Sequence, residues 1–401
     1  MSEDRIMISL GLPEIRVLSY EDTGKEHRIR AEKVPCVVFC PQCGTRHVEV
    51  TGEERWRTVQ DLPISGREVW IELRQRRFVC EGGHRFWERF DTVALKQRQT
   101  ARFQQWLLRQ LKGSSIAEAV RRTGVGYRVL DWLMLKIGAA RAKADRPWPK
   151  VLGIDEYASR KGRRYDTVVV DLQGPTIFEV SEGKKAESLS SLWDRHPGKK
   201  RIRAAVIDMS AGFLAGLKAL GHRITIAVDR FHVEKHIWEA VDEVRRRIQR
   251  SVPASERPRV KELGALLRIP RQKLSSEERA LCNELLEDYP QVARALSLAE
   301  QINRWYARCQ TVEEARKELG EWFSHVESSG IPEMIQALGA LKEWMEYILN
   351  YFVVFLTNGP TEGLNTKIKL IIRVAFGLPS FERRRARLLF QCGGIPSSQN
   401  C

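Results

Sequence analysis

Residues 151–180 read VLGIDEYASRKGRRYDTVVVDLQGPTIFEV, and their pattern decides the fold of the larger part of the chain. Three short runs rich in apolar and β-branched residues, VLGIDEYA, YDTVVVDL and TIFEV, are separated by the turn-forming stretches RKGRR and QGP, which predicts a β-meander. Downstream, KAESLSSLWDRH reads as helix, RIRAAVIDM as strand, AGFLAGLKALG as helix, ITIAVDRF as strand and HVEKHIWEAV as helix.

Three strands, helix, strand, helix, strand, helix is the element order of a ribonuclease-H-like domain, an assignment made by analogy. Carboxylates fall at the ends of the apolar runs. Asp155 follows Val151–Ile154 and Asp208 follows Ala204–Ile207. A charge inside or just after a buried strand is costly unless it is paired or bound to metal. Neighbouring strands would bring the two together, and hard oxygen ligands select Mg²⁺ or Mn²⁺. Asp229, in DRFHVEKH, is a third strand-end acid and a rival to Asp208 for the second position. His232, three residues on, is a candidate to touch a scissile phosphate or to buttress the site.

From about Lys235 to Phe355 the pattern is helical and too long for a loop, so it reads as an insertion. Ile237, Val241, Val244 and Ile248 mark one amphipathic helix; Leu338, Leu341, Met345 and Ile348 mark another. The basic clusters RRRIQR and IPRQK between them are candidates to follow a DNA backbone. Then comes TNGPTEGLNTKIKLIIRVAFG, where Asn358 is placed to cap a helix carrying Pro360 in its first turn. Glu362, Asn365, Lys369 and Arg373 fall on one polar stripe of that helix, while Leu364, Ile368 and Ile371 face elsewhere. A carboxylate, an amide and two cations in line suit a metal-bound phosphodiester.

Upstream, ADRPWPK at 144–150 contains two prolines and reads as a linker. Before it, an amphipathic stretch from Lys96 to Leu111 carries Lys96, Arg98, Arg102 and Arg109 with no acid, its apolar positions being Phe103, Trp106, Leu107 and Leu111. In SSIAEAVRRTGVGYRVLDWLMLKIG, Ser114 or Ser115 caps a helix with Ile116, Ala119 and Val120 facing inward. Gly124 breaks it, and a second helix starts near Tyr127 with Val129, Leu130, Trp132 and Leu133 as its apolar positions. This is a helix-turn-helix pattern, with Arg121, Arg122, Tyr127 and Arg128 as the DNA-contacting candidates. Nearer the start, CPQCG at 40–44 is a Cys-x-x-Cys knuckle, and Gly44 suits its tight turn. After the alternating strand REVWIELRQRRFV, Cys80 and His84 return as a second pair. The four ligands of a structural zinc would then be Cys40, Cys43, Cys80 and His84, with Cys36 a substitute candidate.

The chain has 401 residues, enough for two or three domains, and its eight cysteines cluster at the front and are sparse elsewhere, in the manner of a metal site rather than a disulfide framework. A formal net charge of +16 favours polyanionic partners. The opening MSEDRIMISLGLPEIRV does not read as a signal peptide, and no apolar run is long enough to span a bilayer, which points to the cytoplasm.

Taken together, CPQCG with RRFVC, GIDEYASRKGRRYDTVVVDL, VIDMSAGF, AVDRFHVEKH and NGPTEGLNTKIKLIIRVAFG resemble, in family order, the DDE-type bacterial insertion-sequence transposases of the ISL-three group, from about Cys40 to Gly377. The resemblance implies a multidomain α+β chain: a zinc-binding module (1–92), a helix-turn-helix (93–143), and a ribonuclease-H-like α/β core in two parts (150–234 and 356–392) around a helical insertion (235–355). It makes Asp155, Asp208 and Glu362 the catalytic and magnesium-binding acids. It moves Asp229 and His232 to supporting roles beside Asn365, Lys369 and Arg373. His84 departs from the family, which more often has a cysteine at a slightly different spacing. The implied activity is cleavage of terminal inverted repeats and strand transfer to target DNA, with catalytic Mg²⁺ or Mn²⁺ and structural Zn²⁺. A homodimer or larger assembly on double-stranded DNA, in a nucleoid-associated enzyme with no membrane partner, completes the expectation. The rival readings are a DNA-binding repressor or decayed transposase, and a nuclease of the same fold that cuts without joining.

Overall fold

The computed structural model describes residues 10–93, 97–143, 146–160, 164–269, 271–375, 378 and 380–393. Several sequence features lie outside these residues: positions 1–9, Lys96, 144–145 of the linker, 161–163 of the RKGRR turn, Pro270 and Gly377. The chain divides into two compact units, Met1–Met134 and Leu135–Cys401.

The first unit is built on a sheet of β1 (Ile15–Asp22), β2 (Glu26–Lys33), β3 (Val48–Ile64), β4 (Arg67–Cys80) and β5 (Arg85–Trp87). Its order is β1-β2-β4-β3, with β5 added to β4. The alternation read in REVWIELRQRRFV is what β4 uses: Val69, Ile71 and Leu73 are buried with Ile29, Ala31 and Val59, while the intervening side chains face outward. Helices α1 (Ala101–Leu111) and α2 (Ile116–Thr123) follow, and α3 (Tyr127–Lys143) runs across the division between the units. The helix expected from Lys96 begins instead at Ala101. Residues 98–100 lie extended against β3, with Gln60 N–H donating to Arg98 O (2.9 Å) and Thr100 N–H to Gln60 O (3.0 Å). Thr100 then caps α1 by accepting from Phe103 N–H. The helices α1 and α2 thus belong to the same compact unit as the sheet.

The second unit opens with the meander β6 (Val151–Arg160), β7 (Arg164–Asp171) and β8 (Thr176–Glu182), antiparallel as expected. After α4 (Ala186–Ser190) come β9 (Ala204–Ile207), α5 (Ala211–Lys218), β10 (Thr225–Val228) and α6 (Arg230–Ser251). The sheet order is β10-β9-β6-β7-β8, with β10, β9 and β6 mutually parallel. The helix expected over 185–196 is cut to one short turn. Ser191 turns its hydroxyl to the carbonyl of Ser188, and Trp193 buries its ring by donating Nε1–H to Gly216 O at 2.9 Å.

Strand parity gives the sheet two apolar faces. Leu152, Ile154, Val169, Phe178, Ala205, Ile207 and Val228 join one cluster. Tyr157, Val168, Val170, Ile177 and Val180 join the other, with Leu364, Ile368, Ile371, Leu388 and Leu389. The second face is therefore covered by α14 (Gly359–Val374) and α15 (Phe381–Cys392), and α7 to α13 lie between: α7 (Arg257–Leu266), α8 (Ser276–Asp288), α9 (Pro290–Arg308), α10 (Val312–Ser328), α11 (Pro332–Glu343), α12 (Met345–Leu349) and α13 (Tyr351–Val354). The first cluster runs without a break from Leu152 into Trp305, Trp322 and Phe352, so these helices share one core with the sheet. The expected start of the insertion at 235 falls inside α6. The single helix expected through Leu338 and Ile348 is two, because the backbone leaves helical geometry at the buried Trp344.

Candidate active site

Register places the acids. Ala204 pairs with Val151 and Thr225 with Ala204, offsets of 53 and 21 residues. The same offsets separate Asp155 from Asp208 and Asp208 from Asp229. Three carboxylates thus fall in one row, Asp155 midway along β6 and Asp208 and Asp229 just past the C-terminal ends of β9 and β10, and Asp229 N–H donates to Ile207 O at 2.8 Å to extend the last rung. Parity puts the row on the face that carries Gly153, where α14 lies.

Gly153 allows that helix to approach. A Cβ at this position would collide with Thr361 Oγ1 and Asn358 Oδ1, so any larger residue would push the start of α14 off β6. Asn358 stands at the N-cap of α14, but its side chain does not cap the helix as expected. Its Nδ2 instead donates to Ile154 O (3.4 Å), its Oδ1 accepts from the Thr361 hydroxyl (2.5 Å), and its backbone N–H donates to Asp229 Oδ1 (3.0 Å). One residue thereby fixes α14 to both β6 and the acid row. Nothing in the sequence pattern distinguished Gly153 or Thr361; the clue was the unusual NGPT opening of the helix.

The polar stripe divides on folding. Glu362 is half-buried and Asn365 buried, and Asn365 Nδ2 donates to Asp155 Oδ2 at 2.7 Å; Lys369 and Arg373 are exposed. The other Asp155 oxygen accepts from Glu156 N–H at 2.7 Å. Asp229, His232 and Glu362 bring one donor atom each to within 4.8 Å of one another, while Asp155 and Asp208 stand outside that group.

These acids share an electrostatic signature. Burial pushes Asp208 up to about 6, with Asp155 and Glu156 adding repulsion and His232 opposing it. Burial also raises Asp155, against the pull of the Glu156 amide and His232. It raises Asp229 against the Asn358 amide, and raises Glu362 with the help of Asp229 and Asp155. One oxygen on each of Asp208 (Oδ1) and Asp229 (Oδ2) is buried with no hydrogen-bond partner. Under-compensated carboxylates converging at strand ends are what a divalent cation site requires.

In the first unit, Cys40, Cys43, Cys80 and His84 converge within 4.8 Å. His84 Nδ1 lies 3.4 Å from Cys80 Sγ and 3.8 Å from Cys40 Sγ, and Cys43 Sγ is 3.8 Å from Cys80 Sγ. Gly44 closes the knuckle at φ +71°, its N–H donating to Cys40 O. Burial pushes the Cys40 thiol up, but the amides of Cys43 and Gln42 and the neighbouring thiols overcome it and bring it down to about 6, favouring the thiolate that metal needs. Cys36 is exposed and outside the group.

The basic helical region is less free than its sequence suggests. Ser115, not Ser114, caps α2, and Gly124 ends it in the left-handed region. Arg121 and Arg122 both pair with Glu118 (Nε–Oε 3.0 Å in each), and Arg102 pairs with Asp61. Tyr127 and Arg128 are exposed at the start of α3. Leu130 and Leu133 are buried there as expected, but Val129 and Trp132 are exposed; with Arg128, Arg98, Gln97 and Trp70 they line a groove of about 630 Å³. Of the basic cluster 245–250, Arg245 is buried against Asp242 and Gln249, and Arg247 pairs with Glu333.

Comparison with known proteins places the chain among transposases. A family model described as a transposase, of the DDE type and ISL-three group, matches residues 152–388. A second, for the zinc-finger of transposase IS204/IS1001/IS1096/IS1165, matches residues 37–83 and so stops one residue short of His84. The transposase for insertion sequence element IS1001 of Bordetella parapertussis is 30% identical over 370 residues, 89% of each chain. The transposase for insertion sequence element IS1557 of Mycobacterium tuberculosis is 25% identical over 411 residues, 90% of this chain and 87% of the relative. Among the described residues no helix is long and apolar enough to cross a membrane.

Proposed function

The chain belongs to the DDE transposases of the ISL-three group, and on that premise we propose that Asp155, Asp208 and Glu362 are its catalytic acids, cutting the ends of an insertion sequence and joining them to target DNA. The observation that carries the assignment is the row of Asp155, Asp208 and Asp229 across β6, β9 and β10, with Glu362 brought up to it by α14 and one oxygen on each of Asp208 and Asp229 lacking a protein partner. The fold around them is read as ribonuclease-H-like, from the strand order β10-β9-β6-β7-β8 and the place of the acids on it.

Asp155, Asp208 and Glu362 are read as the ligands of divalent cations, Mg²⁺ or Mn²⁺, a reading supported by their oxygen donors and by the burial that raises each of them. Bound there, such ions supply Lewis acidity to an attacking hydroxyl and charge neutralisation to a leaving oxygen. The protein's own part is orientation. Asn365 and the Glu156 amide hold the two oxygens of Asp155, so that its carboxylate keeps one rotamer. Asn358 holds Asp229 and, through Gly153, the spacing of α14 from β6. Lys369 and Arg373, exposed further along α14, are read as contacts to the DNA backbone. In the first unit Cys40, Cys43, Cys80 and His84 would hold the structural Zn²⁺, and α2 and α3 form the helix-turn-helix that reads the terminal inverted repeats. Within it Tyr127 and Arg128 are better placed than Arg121 and Arg122, whose charges Glu118 answers. The cutting of two ends together calls for a dimer or larger assembly on DNA.

The deciding experiment incubates the protein with DNA carrying an element end, a target duplex and Mg²⁺. Cut ends joined to target are expected. Asp155→Ala should bring both products below detection and leave binding to the end intact. Cutting unchanged in that variant would overturn the assignment, as would binding with no cutting by the natural protein. Cutting without joining would leave a nuclease.

A further inference from the structure

We propose that Asp229, His232 and Glu362 form a cation site of their own, with a mixed nitrogen and oxygen donor set that favours Mn²⁺ over Mg²⁺. The proposal rests on the reading of Glu362 as a metal ligand and adds two residues that the three-acid assignment leaves in support.

The donor atoms of these three lie mutually within 4.8 Å, a span that one ion can bridge. Asp229 is 1% exposed, and its two oxygens have different fates: Oδ1 accepts from Asn358 N–H at 3.0 Å, while Oδ2 is buried with no partner. Leaving such an oxygen bare is costly, the more so on a charged group, unless something outside the protein answers it. Asp229 also occupies the N-cap of α6, a position where aspartate ordinarily caps, yet its side chain makes no capping hydrogen bond. The turn that begins α6 carries His232 back over it, with His232 N–H donating to Asp229 O at 3.1 Å. Glu362 arrives from the first turn of α14, whose start is tied to Asp229 through Asn358. Three separate elements, the end of β10, the first turn of α6 and the first turn of α14, thus converge on one point.

The donor chemistry ranks the two ions. Mg²⁺ takes oxygen ligands and gives up its water reluctantly, whereas Mn²⁺, a first-row transition ion at home among carboxylates, also accepts an imidazole nitrogen. Asp155 and Asp208, all oxygen, remain for an ion of the harder kind.

Pulsed electron paramagnetic resonance of Mn²⁺ tests this on the full chain carrying one zinc. A directly bound imidazole imposes ¹⁴N modulation on the manganese signal, and ¹⁵N-histidine changes it in a known way. The natural protein should show the modulation, His232→Ala should lose it, and Asp155→Asn should keep it. Mn²⁺ affinity should fall on the order of 10-fold in His232→Ala while Mg²⁺ affinity changes far less. Mn²⁺ bound without nitrogen coupling, no Mn²⁺ binding at all, or coupling that survives His232→Ala but disappears in His84→Cys, would each overturn the proposal. Because the readout is spectroscopic, its failure is distinct from failure of the catalytic assignment, which the Asp155→Ala cutting experiment reads.

Discussion

Glu179 on β8 and the acid row across β6, β9 and β10 belong to the same sheet, and both are wholly or largely withdrawn from water, yet they have opposite electrostatics. Glu179 is fully answered by protein. Oε1 accepts from Val180 N–H (2.8 Å) and Arg385 Nε (2.9 Å); Oε2 accepts from Arg385 Nη2 (2.7 Å) and contacts His196 Nε2 (3.0 Å). Burial pushes its carboxyl up, but His196 and Arg385 outweigh that and bring it to about 2. Asp208, with one oxygen orphaned, is pushed the other way, to about 6. Asp166 is likewise held by protein groups, its Oδ2 accepting from Arg384 Nε (2.9 Å) and the Tyr157 hydroxyl (3.1 Å). The difference separates acids that the protein neutralises with cations from acids that it leaves without one: Asp208 and Asp229 each keep an unanswered oxygen, and Asp155 is held only by the neutral donors Asn365 Nδ2 and Glu156 N–H.

Breaking the answered side should have the larger effect on stability. Glu179→Gln removes the charge that balances Arg385 and should cost roughly 3–5 kcal/mol in chemical denaturation. A loss under about 1 kcal/mol would place Glu179 with the surface ion pairs and collapse the contrast. The same network predicts an acid limb. A carboxyl depressed in the folded state contributes stability that is present above its ordinary value of 4.5 and lost as pH falls toward about 2. At about 1.4 kcal/mol per pKa unit the ceiling is roughly 3 kcal/mol. The gap in unfolding free energy between the natural protein and Glu179→Gln should therefore narrow between pH 5 and pH 2.5. Loss of zinc at low pH is common to both proteins and drops out of that difference. A gap that stays constant would mean that charge at Glu179 is not what the network uses.

How legible this was in the sequence depended on how local each cause is. The meander, the helix-strand alternation and the Cys-x-x-Cys knuckle were readable because period and spacing are local properties of the chain. Asp155, Asp208 and Asp229 were visible as strand-end acids, but their common row depends on which strands pair and in what register, and that is set by the whole sheet. Glu362 and Asn365 were on the expected stripe, yet the stripe gave no sign that Lys369 and Arg373 would stay outside. The capping role expected of Asn358 failed because Gly153 brings α14 close enough for β6 to claim that side chain. Arg102, Arg121 and Arg122 read as a basic surface, and Asp61 and Glu118 answer them on folding. Glu179, His196 and Arg385 carry no motif at all, since 206 residues separate the ion pair that closes their network.

The smallest effect is also the sharpest test, because its sign reverses with the solution. In zinc-loaded protein without other divalent ions, Asp208→Asn should raise stability by about 1 kcal/mol at pH 7.5, or about 2 °C in melting temperature for a unit of this size. Burial opposes the Asp208 charge, so the carboxyl's contribution is full below its ordinary value of 3.8 and lost as pH rises through about 6. The advantage of the variant should accordingly shrink as pH is lowered from 7.5 to 4.5, the reverse of the pH course of Glu179. Millimolar Mg²⁺ should then stabilise the natural protein and leave Asp208→Asn nearly unchanged, since a ligand that binds only the native state adds its binding free energy to folding. If Asp208→Asn were instead destabilising without Mg²⁺, Asp208 would have a protein partner as Glu179 does, and the acid row would lose its claim to a cation.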